Sequence, residues 1–386
     1  MHHSNDLYGA DNILLETVKG LDRSRYTPFV LLPEDCYSEG GLAAELEKSG
    51  IRYRFLPLAI VRRRYFKPWR LPSYLLGFAG AVTRIRRVMR EENVTVVHSN
   101  TLAVVAGAMA ARFSGTGHVW HVHEMLVSPA PVRKLLHFLA PRLSDSVICI
   151  SKAVRQHVLE DQPAFAAKLV VIPNGLSLEK FQARTSGEGI RVEFGIPPDA
   201  PFVGMIGRIN HWKGQALFVE AAKLVLDEFP EARFLVVGSV FGTEHHYLDA
   251  LVSNVERGGL KERFLISGFR KDVAEVLAAL DVYLHPSLLP EPFGLVVLEA
   301  MAAAKPVVVT AHGGPLEMIE DGVSGYLVEP GNASDMADKV KACLRDPIAR
   351  QSMGKCARER AFELFHVRRY LNMLQAEYDA VIALKR

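Results

Sequence analysis

The sequence predicts an α/β protein built from two doubly wound domains, each with a parallel sheet covered by helices on both faces. Short apolar segments alternate with helix-length segments along all 386 residues. The apolar segments are continuous, as in strands that are buried on both faces. The length suits two domains. Two such domains facing each other would form a cleft, and clefts between domains hold ligands.

The first half contains six predicted strands with helices between them. They are Phe29–Leu32, Arg54–Leu56, Val94–His98, Val119–His123, Val147–Ile150 and Leu169–Ile172. A glycine-containing loop at Gly9 leads into a predicted helix, Ala10–Leu21, although no strand precedes it. The first strand of a doubly wound domain is central in its sheet. We therefore expect a further strand upstream of Met1.

A small polar stretch at 185–189 separates the halves, which sets the predicted domains at 1–184 and 190–365. The second half has strands and helices in strict alternation, followed by a helical tail. The predicted strands are Phe202–Gly207, Arg233–Gly238, Arg263–Ser267, Val282–His285, Pro306–Thr310 and Gly325–Val328. The predicted helices are Gln215–Phe229, His246–Arg257, Asp272–Leu280, Gly294–Ala304 and the tail from Ile348 onward.

Composition excludes several classes of protein. The charged fraction of 23% and the apolar fraction of 49% are ordinary globular values. The four cysteines are scattered without disulfide-scaffold or zinc spacing, which favours a reducing cytoplasm. No apolar run approaches the roughly 18 residues of a membrane-spanning helix, and no signal-peptide pattern is present. We expect a cytoplasmic protein that at most lies on a membrane.

Basic charge is concentrated in one segment of the first half. Residues 48–90 hold twelve lysines and arginines and no acidic residue. Its densest part interleaves cations with aromatic rings, and the residues proposed for acceptor or membrane contact are Arg62, Arg63, Arg64, Lys67, Trp69 and Arg70. This mixture is typical of contact with an anionic lipid surface or a phosphorylated partner. No nucleic-acid-binding motif accompanies it, so nucleic acid is not an expected partner.

The most informative stretch is the loop and helix that follow the strand ending at His285. Glu291 lies in the loop, at the carboxyl end of a parallel strand, where doubly wound sheets bind ligands. The free backbone N–H groups of Gly294 and Leu295, after Phe293, suit a phosphate. Glu299 lies one helical turn beyond Leu295, where its carboxylate could accept hydrogen bonds from two ribose hydroxyls.

A second cluster follows the first strand of the second half. Arg208 offers a bidentate guanidinium and Lys213 a point charge. Both cations suit a diphosphate leaving group, on which charge develops as its bond breaks. A third strand ends before Phe269 and Arg270, which could form a wall of the base pocket. A further glycine turn, at residues 311–317, could frame the sugar or phosphate.

Three histidines alternate along one strand of the first half, at residues 118, 121 and 123. The alternation, the lack of nearby cysteines and the cations expected to hold phosphate all argue against a metal site. His123, at the carboxyl end of the strand, is the candidate for substrate contact. Gly9, at a helix start, could approach the donor phosphates from the facing domain. No metal and no cofactor are expected.

Together these motifs resemble the retaining glycosyltransferases of family 4. The resemblance spans nearly the whole chain and implies the GT-B fold, in which two Rossmann-like domains face each other and a C-terminal helix, here 366–386, crosses back to the first. It implies a nucleotide-diphosphate-sugar donor, with Arg208 and Lys213 at its diphosphate, Glu291 near its sugar and Glu299 near its ribose. His123 matches, more loosely, the position that contacts the transferred sugar.

The resemblance also implies a reaction: retaining transfer without a metal, in which the leaving phosphate takes the acceptor's proton. The basic–aromatic segment would suit a glycan or lipid-linked acceptor in cell-surface polysaccharide assembly at the inner face of a membrane. Two alternatives remain open at this point. One is a nucleotide-sugar epimerase or phosphorylase of the same fold, and the other is a non-enzymatic partner subunit.

Overall fold

A computed structural model describes residues 1–386 except 37–40, 63, 64, 66–68, 70, 183–185, 241, 243 and 386. The chain divides into two compact units. The N-terminal unit comprises Met1–Leu176 and Val367–Arg386, and the C-terminal unit comprises Ser177–His366. The division falls a few residues before the predicted boundary at 184.

The N-terminal unit alternates strands and helices as expected. Its elements up to Leu176 are α1 (Gly9–Gly20), β1 (Phe29–Pro33), α2 (Gly41–Lys48), β2 (Arg52–Leu56), α3 (Leu71–Glu91), β3 (Val96–Asn100), α4 (Val105–Ser114), β4 (Gly117–Val122), α5 (Ala130–Leu143), β5 (Ser146–Cys149), α6 (Lys152–Asp161) and β6 (Leu169–Val171). Strands β3, β4, β5 and β6 form one parallel sheet in that order, and β1 and β2 form a parallel pair.

The first two residues of the chain connect the β1–β2 pair with the larger sheet. The backbone N–H of His2 donates to the Leu31 carbonyl at 3.0 Å, and the N–H of Asn100 donates to the Met1 carbonyl at 2.9 Å. Residues 1 and 2 therefore bond to both β1 and β3, at the central place where a first strand was expected. The expectation of a further strand upstream of Met1 stays a prediction.

One strand of this unit begins two residues later than predicted. Val94 was expected to open β3, but its N–H donates to the Met89 carbonyl at 2.9 Å, which continues the end of α3. Asn93 turns the chain there with a left-handed φ of 50°. The capping geometry of a helix end decides this boundary, and the apolar pattern of Val94 to Val97 does not reveal it.

The C-terminal unit contains a six-stranded parallel sheet. Its elements are α7 (Glu179–Gln182), α8 (Glu188–Glu193), β7 (Phe202–Ile206), α9 (Gln215–Leu226), β8 (Arg233–Val237), α10 (His246–Arg257), β9 (Phe264–Ile266), α11 (Val273–Ala279), β10 (Val282–His285), α12 (Leu295–Ala302), β11 (Val307–Thr310), α13 (Pro315–Met318), β12 (Tyr326–Val328), α14 (Ala333–Arg345) and α15 (Pro347–Phe365). The last helix of the chain, α16 (Val367–Ala383), belongs to the N-terminal unit.

Strand order fixes where this unit can bind a ligand. The order is β12-β11-β10-β7-β8-β9, so the chain winds outward in one direction from β7 and in the other direction from β10. The crevice outside the carboxyl ends of two such strands is the switch point at which doubly wound sheets bind ligands. Inward-facing valines such as Val203, Val236 and Val282 are fully buried in the core beneath this edge.

Helix α16 packs on the N-terminal unit through aromatic hydroxyls. Tyr370 contacts Thr17 of α1, with the two hydroxyl oxygens 2.6 Å apart. The Tyr378 hydroxyl lies 2.6 Å from Nδ1 of His98 in β3. None of the described helices is both long and apolar enough to cross a membrane.

Candidate functional site

The loop after β10 contributes one partner of a largely buried ion pair at the switch point of the C-terminal unit. The Glu291 carboxylate pairs with the Lys213 ammonium at 2.6 Å, and both side chains are only about one-eighth exposed (13% and 12%). The ring of His285 lies 3.4 Å from the same oxygen, and the Ser287 hydroxyl donates to it at 3.4 Å. Two residues predicted from separate motifs, Lys213 and Glu291, thus meet in one site.

The backbone around Glu291 is fixed by its neighbours. The Gly314 N–H donates to the Glu291 carbonyl at 2.7 Å. A Cβ on Gly313, whose φ is +70°, would lie 2.2 Å from that carbonyl oxygen. His312 and Thr310 each donate a side-chain hydrogen bond to the Ser287 carbonyl at 2.8 Å. The predicted turn at 311–317 therefore holds the Glu291 loop in place, through its backbone and His312.

Burial and the Lys213–Glu291 ion pair together set the protonation states of Glu291 and His285 in this site. Burial alone would raise the pKa of Glu291, but the neighbouring Lys213 and His285 outweigh it and hold that pKa well below its ordinary value. Burial lowers the pKa of His285 below its ordinary value, and the nearby Lys213 adds to this. At neutral pH the site therefore contains a carboxylate, an ammonium and a neutral imidazole.

Helix α12 starts beside the pair with its N–H groups available. It begins after Gly294, which has a φ of 101°, and no side chain caps it. A Cβ on Gly294 would come within 3.7 Å of the Glu291 side chain. Uncapped N–H groups and the helix dipole favour an anion at this point.

Glu299, on the second turn of α12, carries a carboxyl group with a different environment. Burial raises its pKa to about 7, and the only described charge that opposes this is Lys180. A partly buried carboxyl without a cation in contact is costly in the free protein. Such a group is suited to accept hydrogen bonds from a ligand.

The other residues predicted to bind the donor occupy varied positions. Arg208 follows β7 with an exposed side chain, and its carbonyl accepts a bond from Gln215 at 2.7 Å. Phe293 is 4% exposed and packs edge-to-face on Phe365, with ring centroids 5.7 Å apart. Leu295 is the first residue of α12 and is partly buried. The ligand contacts of these residues stay predictions.

The two residues of the predicted base-pocket wall differ in exposure and in how firmly their side chains are held. Phe269 is 64% exposed. Arg270 is held by two carboxylates, those of Glu193 and Asp272, each 2.5 Å away. Because its guanidinium is already neutralised, Arg270 contributes little net positive charge to a ligand there.

In the N-terminal unit, the carboxyl ends of β3 and β4 carry histidines in place of an ion pair. His123 follows β4, and its Nε2 lies 2.9 Å from the Asn100 side-chain oxygen at the end of β3. The His121 ring is fully buried, 4.1 Å from that of His123, and neither of its nitrogens has a hydrogen-bond partner within the described residues. Burial lowers the pKa of both rings well below the ordinary value.

Gly9 starts helix α1 in a setting that already contains an anion. The Asp11 carboxylate accepts a bond from the Tyr8 N–H at 3.0 Å and from His2 at 2.7 Å. Burial acts to raise the pKa of Asp11, but the hydrogen bond and charge of His2, together with hydrogen bonds from Ser4 and the Tyr8 N–H, outweigh this, and the pKa falls to about 2. A donor phosphate at Gly9 would approach this charge, and the proposed contact stays a prediction.

Four of the residues proposed for acceptor or membrane contact, Arg63, Arg64, Lys67 and Arg70, lie outside the described residues. Arg62 donates to Asp35 at 2.9 Å and to the His3 carbonyl at 3.2 Å, so its charge is partly neutralised. Trp69 is 72% exposed. Within the described part of the chain, no group of three or more acidic, histidine or cysteine side chains could hold a metal ion.

Sequence reasoning missed His285, Ser287 and Glu124 as site residues. His285 ends β10 and Ser287 lies in the loop that follows it, and both are buried beside Glu291. The available signal was their position at the end of a parallel strand. Glu124 directly follows the histidine-rich strand, and burial raises its pKa to about 7.

The comparisons with known proteins agree with this architecture. The family described as glycosyl transferases group 1 matches residues 187–360, and the one described as Glycosyltransferase Family 4 matches residues 8–180. A D-inositol 3-phosphate glycosyltransferase of Kribbella flavida is 30% identical over 75% of this chain and 72% of its own length. The UDP-Gal:alpha-D-GlcNAc-diphosphoundecaprenol alpha-1,3-galactosyltransferase of Escherichia coli is 25% identical over 96% of each chain.

A solved structure extends the likeness to the fold. The HepE protein of Anabaena, crystallised with UDP and glucose, superposes with a TM-score of 0.83 at 25% identity and covers 98% of each chain. Because the two curated relatives are named as glycosyltransferases, they favour an enzyme that transfers sugars over the epimerase and the non-enzymatic subunit. With its two matched family regions and its parallel sheets in two units, the chain belongs to the family 4 glycosyltransferases of GT-B fold and is a glycosyltransferase.

Proposed function

We propose that the protein transfers a sugar from a uridine-diphosphate sugar to a lipid-linked sugar, with retention of configuration. The observation that carries the donor half of this proposal is the Lys213–Glu291 pair beside the uncapped start of α12. A diphosphate placed there would meet an ammonium and free N–H groups at the switch point of the sheet. The choice of uridine is supported by Anabaena HepE, which was crystallised with UDP and with UDP-glucose.

Lys213 can serve both partners because an ammonium group has three donor protons. One proton stays with Glu291, and the others can reach phosphate oxygens. As the bond between the sugar's anomeric carbon and the diphosphate oxygen breaks, negative charge grows on the leaving group. Fixed positive groups at that position, Lys213 and Arg208, lower the barrier.

Glu291 is proposed to orient the donor sugar and not to attack it. Its carboxylate is held by Lys213, His285 and Ser287. Those contacts withdraw electron density and lower its nucleophilicity. In the proposed front-face step, the acceptor oxygen bonds to the anomeric carbon, the bond to the diphosphate breaks, and the acceptor's proton passes to the leaving phosphate oxygen.

The proposed acceptor is a sugar joined through a diphosphate to a membrane lipid. The galactosyltransferase of Escherichia coli acts on such a molecule by its name. In this chain, exposed apolar side chains at the start of α3, Leu71, Leu75 and Leu76, adjoin the basic segment and Trp69. Apolar and cationic groups side by side suit an anionic lipid surface. We place the enzyme at the inner face of a membrane, in cell-surface polysaccharide assembly.

Calorimetric titration with UDP, GDP and ADP tests the donor. We expect UDP to bind most tightly, and Glu299→Gln to weaken binding at least tenfold because the ribose hydroxyls lose a carboxylate acceptor. Glu363→Gln, an exposed carboxylate of α15 in the same unit, is the matched control. Equal affinity for the three nucleotides, or equal binding by Glu299→Gln and wild type, would contradict the donor assignment.

Vesicle co-sedimentation tests the membrane contact. We expect binding to vesicles containing phosphatidylglycerol but not to those of phosphatidylcholine alone, and Leu75→Glu with Leu76→Glu should abolish it. Ile348→Glu, at an 81% exposed apolar residue of the other unit, is the control. Binding that survives the α3 changes would remove the membrane part of the proposal and leave the donor part intact.

A further inference from the structure

The N-terminal unit contains a cavity of about 130 Å³, and none of the residues that line it belongs to the proposed donor site. Its walls are mainly apolar and include Leu102, Leu126, Val132 and Leu136. Glu124 is the only ionisable group among the nine residues that line it. The cavity therefore combines an apolar wall with one carboxyl group.

Glu124 is fixed in place by the backbone. Its Oε2 accepts a hydrogen bond from the His123 N–H at 3.1 Å and one from the Leu102 N–H at 3.4 Å. Burial raises its pKa to about 7. A carboxyl group near half-ionisation can accept a hydrogen bond as a carboxylate and donate one as an acid.

The size of the cavity restricts its occupant. An apolar cavity of about 150 Å³ holds a benzene ring. This cavity therefore accepts a group of roughly the same size, which is smaller than a whole sugar. Val61 also lines it, and the Val61 N–H donates to the Ala103 carbonyl at 3.0 Å, which joins the wall to the basic segment that follows.

The position of Glu124 places the cavity beside the carboxyl ends of two parallel strands. Glu124 directly follows His123, whose ring lies 2.9 Å from the Asn100 side chain. A group in the cavity is thus next to the carboxyl ends of β3 and β4. A sugar carrying that group would have its ring at the edge where a ligand is expected.

We propose that this cavity binds the acetamido group of an N-acetylated acceptor sugar. The methyl group would contact Val132 and Leu136, and the amide would hydrogen-bond to Glu124. This assignment rests on the proposed function. An isoprenoid segment of the acceptor lipid would also fit by size, but it could form no hydrogen bond with the carboxyl group, whereas the amide of an acetamido group can.

Saturation-transfer NMR tests the contact directly. The probe is N-acetylglucosaminyl diphosphate joined to a short alkyl chain, added to the full chain in the presence of UDP. We expect the acetamido methyl protons to receive the strongest saturation. Val132→Phe, which fills the cavity, should abolish that signal, whereas Leu135→Phe, at a 54% exposed residue of the same helix, should leave it unchanged.

Steady-state transfer supplies an independent readout. With wild type, KM for the acetamido acceptor should be at least tenfold lower than KM for the analogue with a 2-hydroxyl group. Glu124→Gln, which retains the shape and a backbone-accepting oxygen, should reduce that difference severalfold without lowering UDP affinity. Glu160→Gln, an exposed carboxylate at the end of α6, is the control.

The outcomes separate this inference from the proposed function. Equal KM values for the two acceptors, or a methyl signal that survives Val132→Phe, would overturn the cavity assignment while UDP binding stays intact. Saturation centred on the alkyl chain would assign the cavity to lipid and likewise overturn it. Loss of UDP binding by wild type would instead refute the donor assignment.

Discussion

The two units place different charges at the carboxyl ends of the same kind of parallel sheet. The C-terminal unit places a buried ion pair, Lys213 and Glu291, at the edge of β10. The N-terminal unit places neutral His123 and Asn100 at the edge of β3 and β4. An ion pair can exchange one partner for a charged diphosphate, whereas neutral imidazoles and amides suit the uncharged hydroxyls of a sugar.

This difference shows that the same sheet architecture can form edges with different binding properties. The parallel sheet supplies an edge with backbone groups and helix starts in both units. Only the side chains at that edge decide whether it attracts an anion. The predictions below test the contrast, beginning with the largest expected effect.

The strongest expected effect is acid lability of the N-terminal unit alone. Burial lowers the pKa of six of its histidines: His3, His98, His118, His121, His123 and His137. Because their folded pKa values lie below the unfolded value of 6.5, the stability they contribute above pH 6.5 is lost as the pH falls. Each proton taken up on unfolding costs about 1.4 kcal/mol per pH unit.

Buried carboxyl groups with raised pKa values increase stability as the pH falls, but the described residues include fewer of them than of the buried histidines. Glu124 in the N-terminal unit and Glu299 in the C-terminal unit have pKa values raised to about 7, so each adds stability as the pH falls from 7 toward 4.5. In the C-terminal unit His285 offsets Glu299. Hydrogen exchange, corrected for intrinsic rates, should show the N-terminal unit opening first between pH 6.5 and 5. Simultaneous opening of both units would contradict the contrast.

The next effect is loss of transfer when the ion pair is broken. Lys213→Ala removes positive charge from the leaving group and leaves Glu291 buried without its cation. We expect kcat/KM to fall about 10²- to 10³-fold. The assay is UDP release with a saturating acceptor, and Lys261→Ala, an exposed lysine of the same unit, should have wild-type activity.

A smaller effect is expected for Glu299→Gln, which should stabilise the folded protein while it weakens UDP binding. Glu299→Gln removes a partly buried charge, so unfolding free energy at pH 8 should rise by about 1–3 kcal/mol. At pH 5, where the wild-type carboxyl of the folded protein is protonated and the pH approaches the unfolded pKa of 4.5, most of the gain should be lost. Urea melts at both pH values measure this, and an equal gain at both would show that Glu299 carries no buried-charge penalty.

The smallest effect is expected at the exposed Phe269. Phe269→Ala should leave the melting temperature unchanged, because the ring is 64% exposed. If the ring forms a wall of the base pocket, UDP affinity should fall only a few-fold, by the loss of one stacking contact. Unchanged affinity would remove Phe269 from the donor site.

Sequence patterns anticipated particular parts of this molecule well. Strand β10 and helix α10 have the predicted bounds, Val282–His285 and His246–Arg257. Both are delimited by local signals, such as turn residues and changes of apolar period. The start of β3 was predicted two residues too early, because the left-handed residue Asn93 extends the turn that ends α3 through Val94.

Candidate site residues divide in the same manner. Glu291 and Lys213 were predicted because each follows a parallel strand, but their 2.6 Å contact joins residues 78 positions apart and depends on β10 pairing with β7. The neutralised state of Arg62 depends on Asp35, and that of Arg270 depends in part on Glu193, which are carboxylates distant in the sequence. Spacing alone cannot reveal such partners.

The sequence by itself determined the alternation of strands and helices, the parallel character of the sheets and the residues that stand at their carboxyl ends. These features depend on local periodicity and turn chemistry. Only the tertiary structure decided the charge state of each site, the cavity beside Glu124 and the link that Met1 and His2 make between β1 and β3. Burial and contacts between distant residues set pKa values and cavity walls, and neither is encoded in any single segment.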